Sequence, residues 1–274
     1  MNSNMLELGS ITIKWYSFFI LIGMLLGSFI IYKEWKKKNG SEEDIINILF
    51  YGIIIGIIGA RLYYCIFNFD YYKSDLLEIF KIWNGGLAIH GGILSGLIFM
   101  IIYCKKKKIN LLLLLDIITP GLIIAQSLGR WGNFFNKEAY GRIVSLKFLK
   151  SLHLPKFIID NMNIDGFYRE PTFLYESVLS IIGFIILLIL RKQKRIKTGT
   201  MISTYLIWYG IERLIIESFR SDSLLLGPFK IAQIISILFI ISGILILVIF
   251  CKKNNYYIED KFNKEGEKSI WTKK

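Results

Sequence analysis

The chain has 274 residues, 54% of them hydrophobic, and a formal charge of +13 at pH 7. A soluble domain of that size rarely carries so many long Ile, Leu and Phe runs, because it cannot cover them, whereas lipid is the solvent for such faces in a membrane protein. Nucleic-acid binding, the other usual reading of a basic excess, is excluded because Lys and Arg sit between apolar runs and form no continuous face.

In chain order, the N-terminus carries Glu7 and no basic residue before the first apolar run, and no small-residue cleavage site follows it. A removable signal peptide is therefore not expected. Stretches of about 20 apolar residues then mark roughly seven spanning helices. They fall near Ile11–Tyr32, Ile45–Phe67, Leu87–Cys104, Leu111–Leu128, Thr172–Leu190, Thr200–Phe219 and Phe229–Cys251. Gly52, Gly56 and Gly59 in the second run allow close contact with another helix. The expectation is an all-α polytopic membrane protein, residues 1–274 forming a single membrane domain.

The connections set its orientation. The first holds Lys33, Lys36, Lys37 and Lys38, the third Lys105 to Lys108, and the fifth Arg191, Lys192, Lys194, Arg195 and Lys197. The even connections are poor in Lys and Arg, apart from the long fourth one, and long loops translocate largely regardless of charge. Positive-inside bias thus places the odd loops and a basic tail, residues 252–274, in the cytoplasm, with the N-terminus outside. Residues 130–171 make an extracytoplasmic loop region, in which Leu146–Phe157 reads equally as a helix lying on the membrane surface or as part of a soluble cap. Cys65, Cys104 and Cys251 lie in or beside apolar runs without a CxxC pair, which reads as buried, inert thiols. With only His90 and His153 there is no zinc spacing, so no metal or other cofactor is expected.

Ionisable groups inside spans are costly, at about 2.5–3.5 kcal/mol for Arg or Asp at the centre, so those present need a purpose. On the orientation above, Tyr16, Arg61, His90, Arg130, Asn133, Glu138, Tyr175, Glu176, Tyr209, Arg213, Glu217 and Arg220 all fall in the outer half of the bilayer. Tyr209, Arg213 and Glu217 recur at every fourth residue, one helical face that must look into the bundle or a wet cavity. Arg61 reads as the neutralising partner of a carboxylate such as Glu176. Glycines flank His90 on both sides, at Gly85, Gly86, Gly91 and Gly92, and favour close approach of backbone or ligand. The run Gly129–Arg130–Trp131–Gly132–Asn133–Phe134–Phe135–Asn136–Lys137–Glu138 reads as irregular backbone lining a cavity at a helix end. Within it the fork of Arg130 suits a phosphodiester, whose oxygens it can pair bidentately.

That run resembles the GRxGNFxNxE signature of prolipoprotein diacylglyceryl transferases. Further matches follow in order: Trp15–Tyr16, Gly59–Ala60–Arg61–Leu62, His90–Gly91–Gly92, Pro171–Thr172–Phe173–Leu174–Tyr175–Glu176, then Tyr209 with Arg213, Glu217 and Arg220. The chain departs from the family in having Ser17 where Gly is frequent, Glu170 where His is frequent, and a short loop after Arg142. The resemblance implies a multi-pass transferase of the bacterial cytoplasmic membrane, its active site facing the outer leaflet. Such an enzyme moves the diacylglyceryl group of phosphatidylglycerol to the lipobox cysteine of a prolipoprotein signal peptide, forming a thioether and releasing glycerol phosphate.

The candidate catalytic residues are His90, Arg130, Arg213, Tyr16 and Glu217. The candidate phosphatidylglycerol-binding residues are Arg130, Asn133, Glu138, Arg213, Tyr209, Arg61 and Gly141. In this scheme Arg130 and Arg213 clamp the phosphate while Glu217 and Glu138 orient their guanidinium groups. His90 or Tyr16 takes the thiol proton, imidazole being the side chain that titrates nearest neutrality. A secondary transporter would require inverted repeats and polar residues near the midplane, and neither is visible. Another phospholipid-head transferase is the nearest alternative.

Overall fold

In a computed structural model of the chain, residues 4–8, 11–221, 223–250, 255–259 and 262 are described. Two antiparallel strands, β1 (Asn4–Leu8) and β2 (Ile11–Lys14), precede α1 (Trp15–Lys37). The first long helix therefore starts at Trp15 rather than Ile11. It is followed by α2 (Glu42–Phe67), the short α3 (Phe69–Tyr72), two 3₁₀ turns, α4 (Ile89–Lys107) and α5 (Leu111–Asn136). Two short helices, α6 (Leu146–Ser151) and α7 (Lys156–Asn161), lead to α8 (Thr172–Arg191), α9 (Thr200–Phe219) and α10 (Ile231–Leu245).

Among the described residues, six helices are long and apolar enough to cross a membrane: α1, α2, α4, α5, α8, and α10 with its continuation to Phe250. The protein is an all-α polytopic membrane protein. The helix α9 has the same 20-residue length as α8. It differs in composition, because Glu212, Arg213 and Glu217 interrupt its apolar run. Charge runs sit at helix ends as the macrodipole favours: Glu42, Glu43 and Asp44 open α2, whereas Lys36 and Lys37 close α1 and Lys105 to Lys107 close α4.

The chain forms two compact units, one of Met1–Lys33 with Leu115–Asp260 and the other of Glu34–Leu114 with Lys261–Lys274. In the second unit α2 packs on α4 along a glycine seam. A Cβ on Gly59 would lie 2.1 Å from Ser95 Oγ, and one on Gly91 would lie 2.4 Å from the carbonyl oxygen of Gly59. Such contact lets dispersion act between backbones where no hydrophobic force separates helix from lipid. The Ser95 hydroxyl donates across the seam to the Ile55 carbonyl at 3.1 Å. Cys65 and Cys104 are buried free thiols, whereas Cys251 lies outside the described residues.

In the first unit α1 meets α5 in the same manner, a Cβ on Gly121 falling 2.6 Å from the Gly27 carbonyl oxygen. The helices α5 and α8 are joined by the Ser127 and Ser177 hydroxyls at 2.9 Å and by Trp131 Nε1, which donates to Ser177 Oγ at 3.2 Å. Packed against both α8 and α10, α9 starts at a carboxylate borrowed from α5. The fully buried Asp116 accepts from the backbone N–H of Gly199 at 2.6 Å and of Ile202 at 2.9 Å. That satisfies amides an N-cap side chain would otherwise serve and places negative charge at the positive helix end.

The segment around α6 and α7 resolves the open choice between surface helix and cap. Leu149, Ile158, Ile159, Met162 and Ile164 close over Phe134, Phe135 and Phe173 in one buried cluster. A small cap with its own core covers one end of α5 and α8.

Gly121→Val forces two backbones apart, and overpacking of this kind costs about 1–3 kcal/mol. The detergent-solubilised variant should unfold at a lower temperature. Gly96→Val, whose Cβ meets nothing within 4 Å, should leave the midpoint near that of the parent.

Candidate active site

The signature run is helical, contrary to the expectation of irregular backbone from Gly129 onward: α5 continues unbroken to Asn136. Its glycines serve close approach. A Cβ on Gly132 would stand 2.9 Å from Tyr16 Cδ2 and 3.2 Å from Tyr16 Cα, so glycine there lets the start of α1 lie directly on α5. Phe134 and Phe135 point into the cap cluster and Trp131 reaches Ser177. Helical spacing brings the remaining polar pair together, and Arg130 Nη1 donates to Asn133 Oδ1 at 3.4 Å.

Across from Arg130 stands Glu176, in the second turn of α8. Its Oε2 pairs with Arg130 Nε, and its Oε1 accepts from Arg213 Nη1 of α9 at 2.5 Å. Arg213 Nη2 reaches Glu217 Oε2, one turn along the same helix, at 2.7 Å. The carboxylates of Glu176 and Glu217 are only 3% and 2% exposed, while the guanidinium-bearing side chains of Arg130 and Arg213 keep 21% and 16%. The anions are thus enclosed, and the two arginine side chains are less so. Three helices meet at one bridging carboxylate.

Around this cluster, Tyr209 stacks on Tyr205 with ring centroids 5.8 Å apart, and Gln126 Nε2 donates to the Tyr205 hydroxyl at 2.8 Å. Glu212 accepts from Ser180 Oγ at 3.1 Å. Gly141 pairs with Arg220 as a β-bridge and donates its N–H to the Glu170 carbonyl at 3.0 Å. A Cβ there would lie 2.8 Å from that of Glu170, so the site closes only around glycine. Lys230 Nζ donates to the Glu217 and Arg220 carbonyls at 2.6 and 3.0 Å, a cation at the C-terminal end of α9.

Of the sequence-derived candidates, the first unit brings together Arg130, Asn133, Arg213, Glu217, Tyr209 and Tyr16, with Gly141 at the junction of the cap and α9. The expected pairing of Arg61 with Glu176 is corrected, since Glu176 holds Arg130 and Arg213 instead. Arg61 belongs to the second unit, where its guanidinium donates to the carbonyls of Glu78, Ile79, Lys81, Gly85 and Gly86 at 2.6–3.4 Å. Five carbonyls take its five N–H directions, so Arg61 organises the loop between α3 and α4 rather than offering donors to a phosphate. The two glycines accept there in a left-handed backbone, at φ +87° and +75°.

His90 opens α4 in the second unit as an exposed residue, 6.4 Å between ring centroids from Tyr63. Glu138 is exposed and takes Asn136 Nδ2 at 3.3 Å, and no Arg pairs with it among the described residues. The carboxylates that orient the guanidinium groups are therefore Glu176 and Glu217. Sequence reasoning missed the bridging role of Glu176 and passed over Glu212 and Gln126. The available signal was a buried-type acid in the early turns of a run otherwise apolar enough to span.

Comparison with known proteins follows the same line. The family model described as prolipoprotein diacylglyceryl transferase matches residues 3–249. The chain is 44% identical over 265 residues to the phosphatidylglycerol–prolipoprotein diacylglyceryl transferase of Listeria welshimeri, covering 96% of this chain and 95% of that protein. Against the protein of the same name from Staphylococcus saprophyticus it is 48% identical over 244 residues, covering 89% and 87%. The corresponding figures for Ligilactobacillus salivarius are 45% over 251 residues, 91% and 93%.

Removing a partner from a buried ion pair leaves uncompensated charge and costs about 3–5 kcal/mol. Glu176→Ala, which leaves two guanidinium groups facing each other, should lower the unfolding midpoint more than Lys73→Ala, whose pair with Asp70 is exposed on both sides.

Proposed function

From its membership of the prolipoprotein diacylglyceryl transferase family, to which this chain belongs, we propose that its Arg130–Glu176–Arg213 cluster is the phosphate clamp of the transfer reaction. The protein is a membrane transferase acting in the first step of lipoprotein maturation. It takes the diacylglyceryl group of phosphatidylglycerol and delivers it to a prolipoprotein. The acceptor is the lipobox cysteine of the signal peptide. The observation that carries the clamp is the meeting of two guanidinium groups from α5 and α9 on one buried carboxylate.

The thiolate sulfur attacks the glycerol carbon bonded to the phosphate oxygen. The carbon–oxygen bond breaks, its electron pair stays on the phosphate, and glycerol phosphate leaves. Fixed cations beside that oxygen stabilise the charge it gains. A free thiol has a pKa near 8.5, so its proton needs an acceptor. His90 is the first candidate and Tyr16, in electrostatic reach of Arg130, the second. Asn133 holds Arg130, Tyr209 lines the cluster from α9, and Gly141 admits the close turn beside it. Arg61 holds the loop between α3 and α4, and Glu138 is in electrostatic reach of Tyr16.

The enzyme sits in the bacterial cytoplasmic membrane with seven crossings, α9 included, the N-terminus outside and the clamp beneath the outer face. The lysine-rich odd connections support that orientation.

Arg130→Ala and Arg213→Ala should each lower transfer to a lipobox peptide by about 10²–10³-fold or more while leaving membrane insertion intact. The readout is the added diacylglyceryl mass on the peptide, and normal turnover in either variant refutes the clamp. His90→Ala should lose rate more than lipid affinity and regain rate in alkaline buffer, where the thiol is already ionised; no recovery there removes His90 from the role. For topology, Lys150→Cys should react with an impermeant maleimide added to intact cells and Lys106→Cys should not.

A further inference from the structure

The clamp's own charges balance before any lipid arrives. Arg130 and Arg213 bring two positive charges, and Glu176 and Glu217, each in direct contact with a guanidinium, bring two negative ones. A phosphodiester adds one further negative charge. There is also a third carboxyl in the cluster that the transfer reaction does not use. Glu212 is 4% exposed, its Oε1 accepts the Ser180 hydroxyl, and its Oε2 is buried without a hydrogen-bond partner among the described residues.

An ionised carboxylate offers about four acceptor sites, and one neutral hydroxyl is a poor substitute for the water it gave up. The groups facing Glu212 are Ser180 and Glu176 from α8, Arg130 from α5, and Arg213 and Tyr205 on its own helix. The helix α10, packed on the other side of α9, contains no titratable residue. Both cations in reach are already matched by carboxylates. With Glu212 ionised, an anionic headgroup would enter a cluster of net negative charge in a water-poor interior, where like charges repel strongly. With Glu212 protonated, the same headgroup meets a neutral cluster.

Resting on the phosphate-clamp reading above, we propose that Glu212 is protonated whenever an anionic phospholipid headgroup occupies the Arg130–Arg213 clamp, taking up a proton on lipid entry wherever it was ionised beforehand. Oε2 is where that proton resides. Lipid affinity and proton affinity are then reciprocally linked. Above the pH at which Glu212 ionises in the lipid-free enzyme, affinity for an anionic lipid falls by about tenfold per pH unit. Below it, affinity is independent of pH. The sign follows from the charged form repelling the phosphate.

Full-length enzyme in detergent is titrated with short-chain phosphatidylglycerol across the neutral and alkaline range, alongside Glu212→Gln, which keeps an acceptor for Ser180 and is permanently neutral. The parent should lose affinity on the alkaline side, whereas E212Q should keep the parent's low-pH affinity throughout. For diacylglycerol, which carries no phosphate, the two proteins should show the same pH dependence. Equal slopes for parent and E212Q with phosphatidylglycerol, or a flat parent, overturn the proposal. Should E212Q fail to fold, infrared difference spectra of the parent decide: at a pH where the parent's affinity is already falling, a protonated-carboxyl band that shifts in D2O must appear when an ether-linked phosphatidylglycerol, free of ester carbonyls, is added, and its absence is a refutation. Transfer of diacylglyceryl mass to a lipobox peptide by the parent, assayed in the same preparation, tests the underlying reading separately.

Discussion

The bidentate use of Glu176 is the contact on which the rest of the site depends. Two guanidinium groups repel each other, and in a bundle surrounded by lipid neither can turn outward to water. One carboxylate placed between them converts repulsion into attraction on both sides, with geometry suited to the planar fork of Arg. Because Arg130, Glu176 and Arg213 come from α5, α8 and α9, the same contact ties three helices at one level. Glu217 adds a second anion to Arg213 within its own helix. Each cation is therefore fixed by at least one enclosed carboxylate.

Such a cluster is useful only if the helices carrying it cannot slide. Dispersion and polar contacts must supply that rigidity, since lipid removes the hydrophobic difference between a packed and an unpacked apolar face. The backbone contact of Gly27 with Gly121 holds α1 on α5, and the Gly132 contact puts Tyr16 beside Arg130. Hydroxyl bonds through Ser127 and Ser177 hold α5 to α8. Asp116 anchors the far end of α9, so the position of Arg213 along the bundle is set by a hydrogen-bonded start as well as by packing. At the other end the aromatic cap cluster grips Phe134 and Phe135, the residues that follow Asn133.

Charge in an apolar run is costly wherever the helix ends up, which is why the sequence alone marks Arg130 and Arg213 as residues that need a partner, and both find one in Glu176. Their i, i+4 companion Glu217 was legible for the same reason, because local helical spacing alone brings it to Arg213. Partners far apart in sequence were not. Glu176 was matched with Arg61, a plausible pairing by depth, yet Arg61 is taken up by five carbonyls of its own loop. Depth along a span can be counted at 1.5 Å per residue, but the direction a face points around the bundle cannot. The signature run misled in another way. Its Gly and Asn residues have low helix propensity, so they read as a break, whereas close packing on α1 and α8 overrides propensity and keeps α5 helical to Asn136.

On the phosphate-clamp reading proposed above, net neutrality of the cluster has a consequence for catalysis. A strongly positive pocket would hold phosphatidylglycerol tightly in the ground state, and uniform tight binding does not raise turnover. Here each guanidinium already shares its N–H groups with a carboxylate. As the carbon–oxygen bond breaks, the phosphate gains charge and becomes a better acceptor than it was in the intact diester. Hydrogen bonds can then shift from Glu176 and Glu217 toward the phosphate without either arginine moving, so the stabilisation grows along the reaction coordinate. Preorganised donors whose partners exchange in place need little reorganisation at the moment of transfer. The buried carboxylates thus do more than offset charge: they keep the arginines from binding the donor too well before the thiolate arrives.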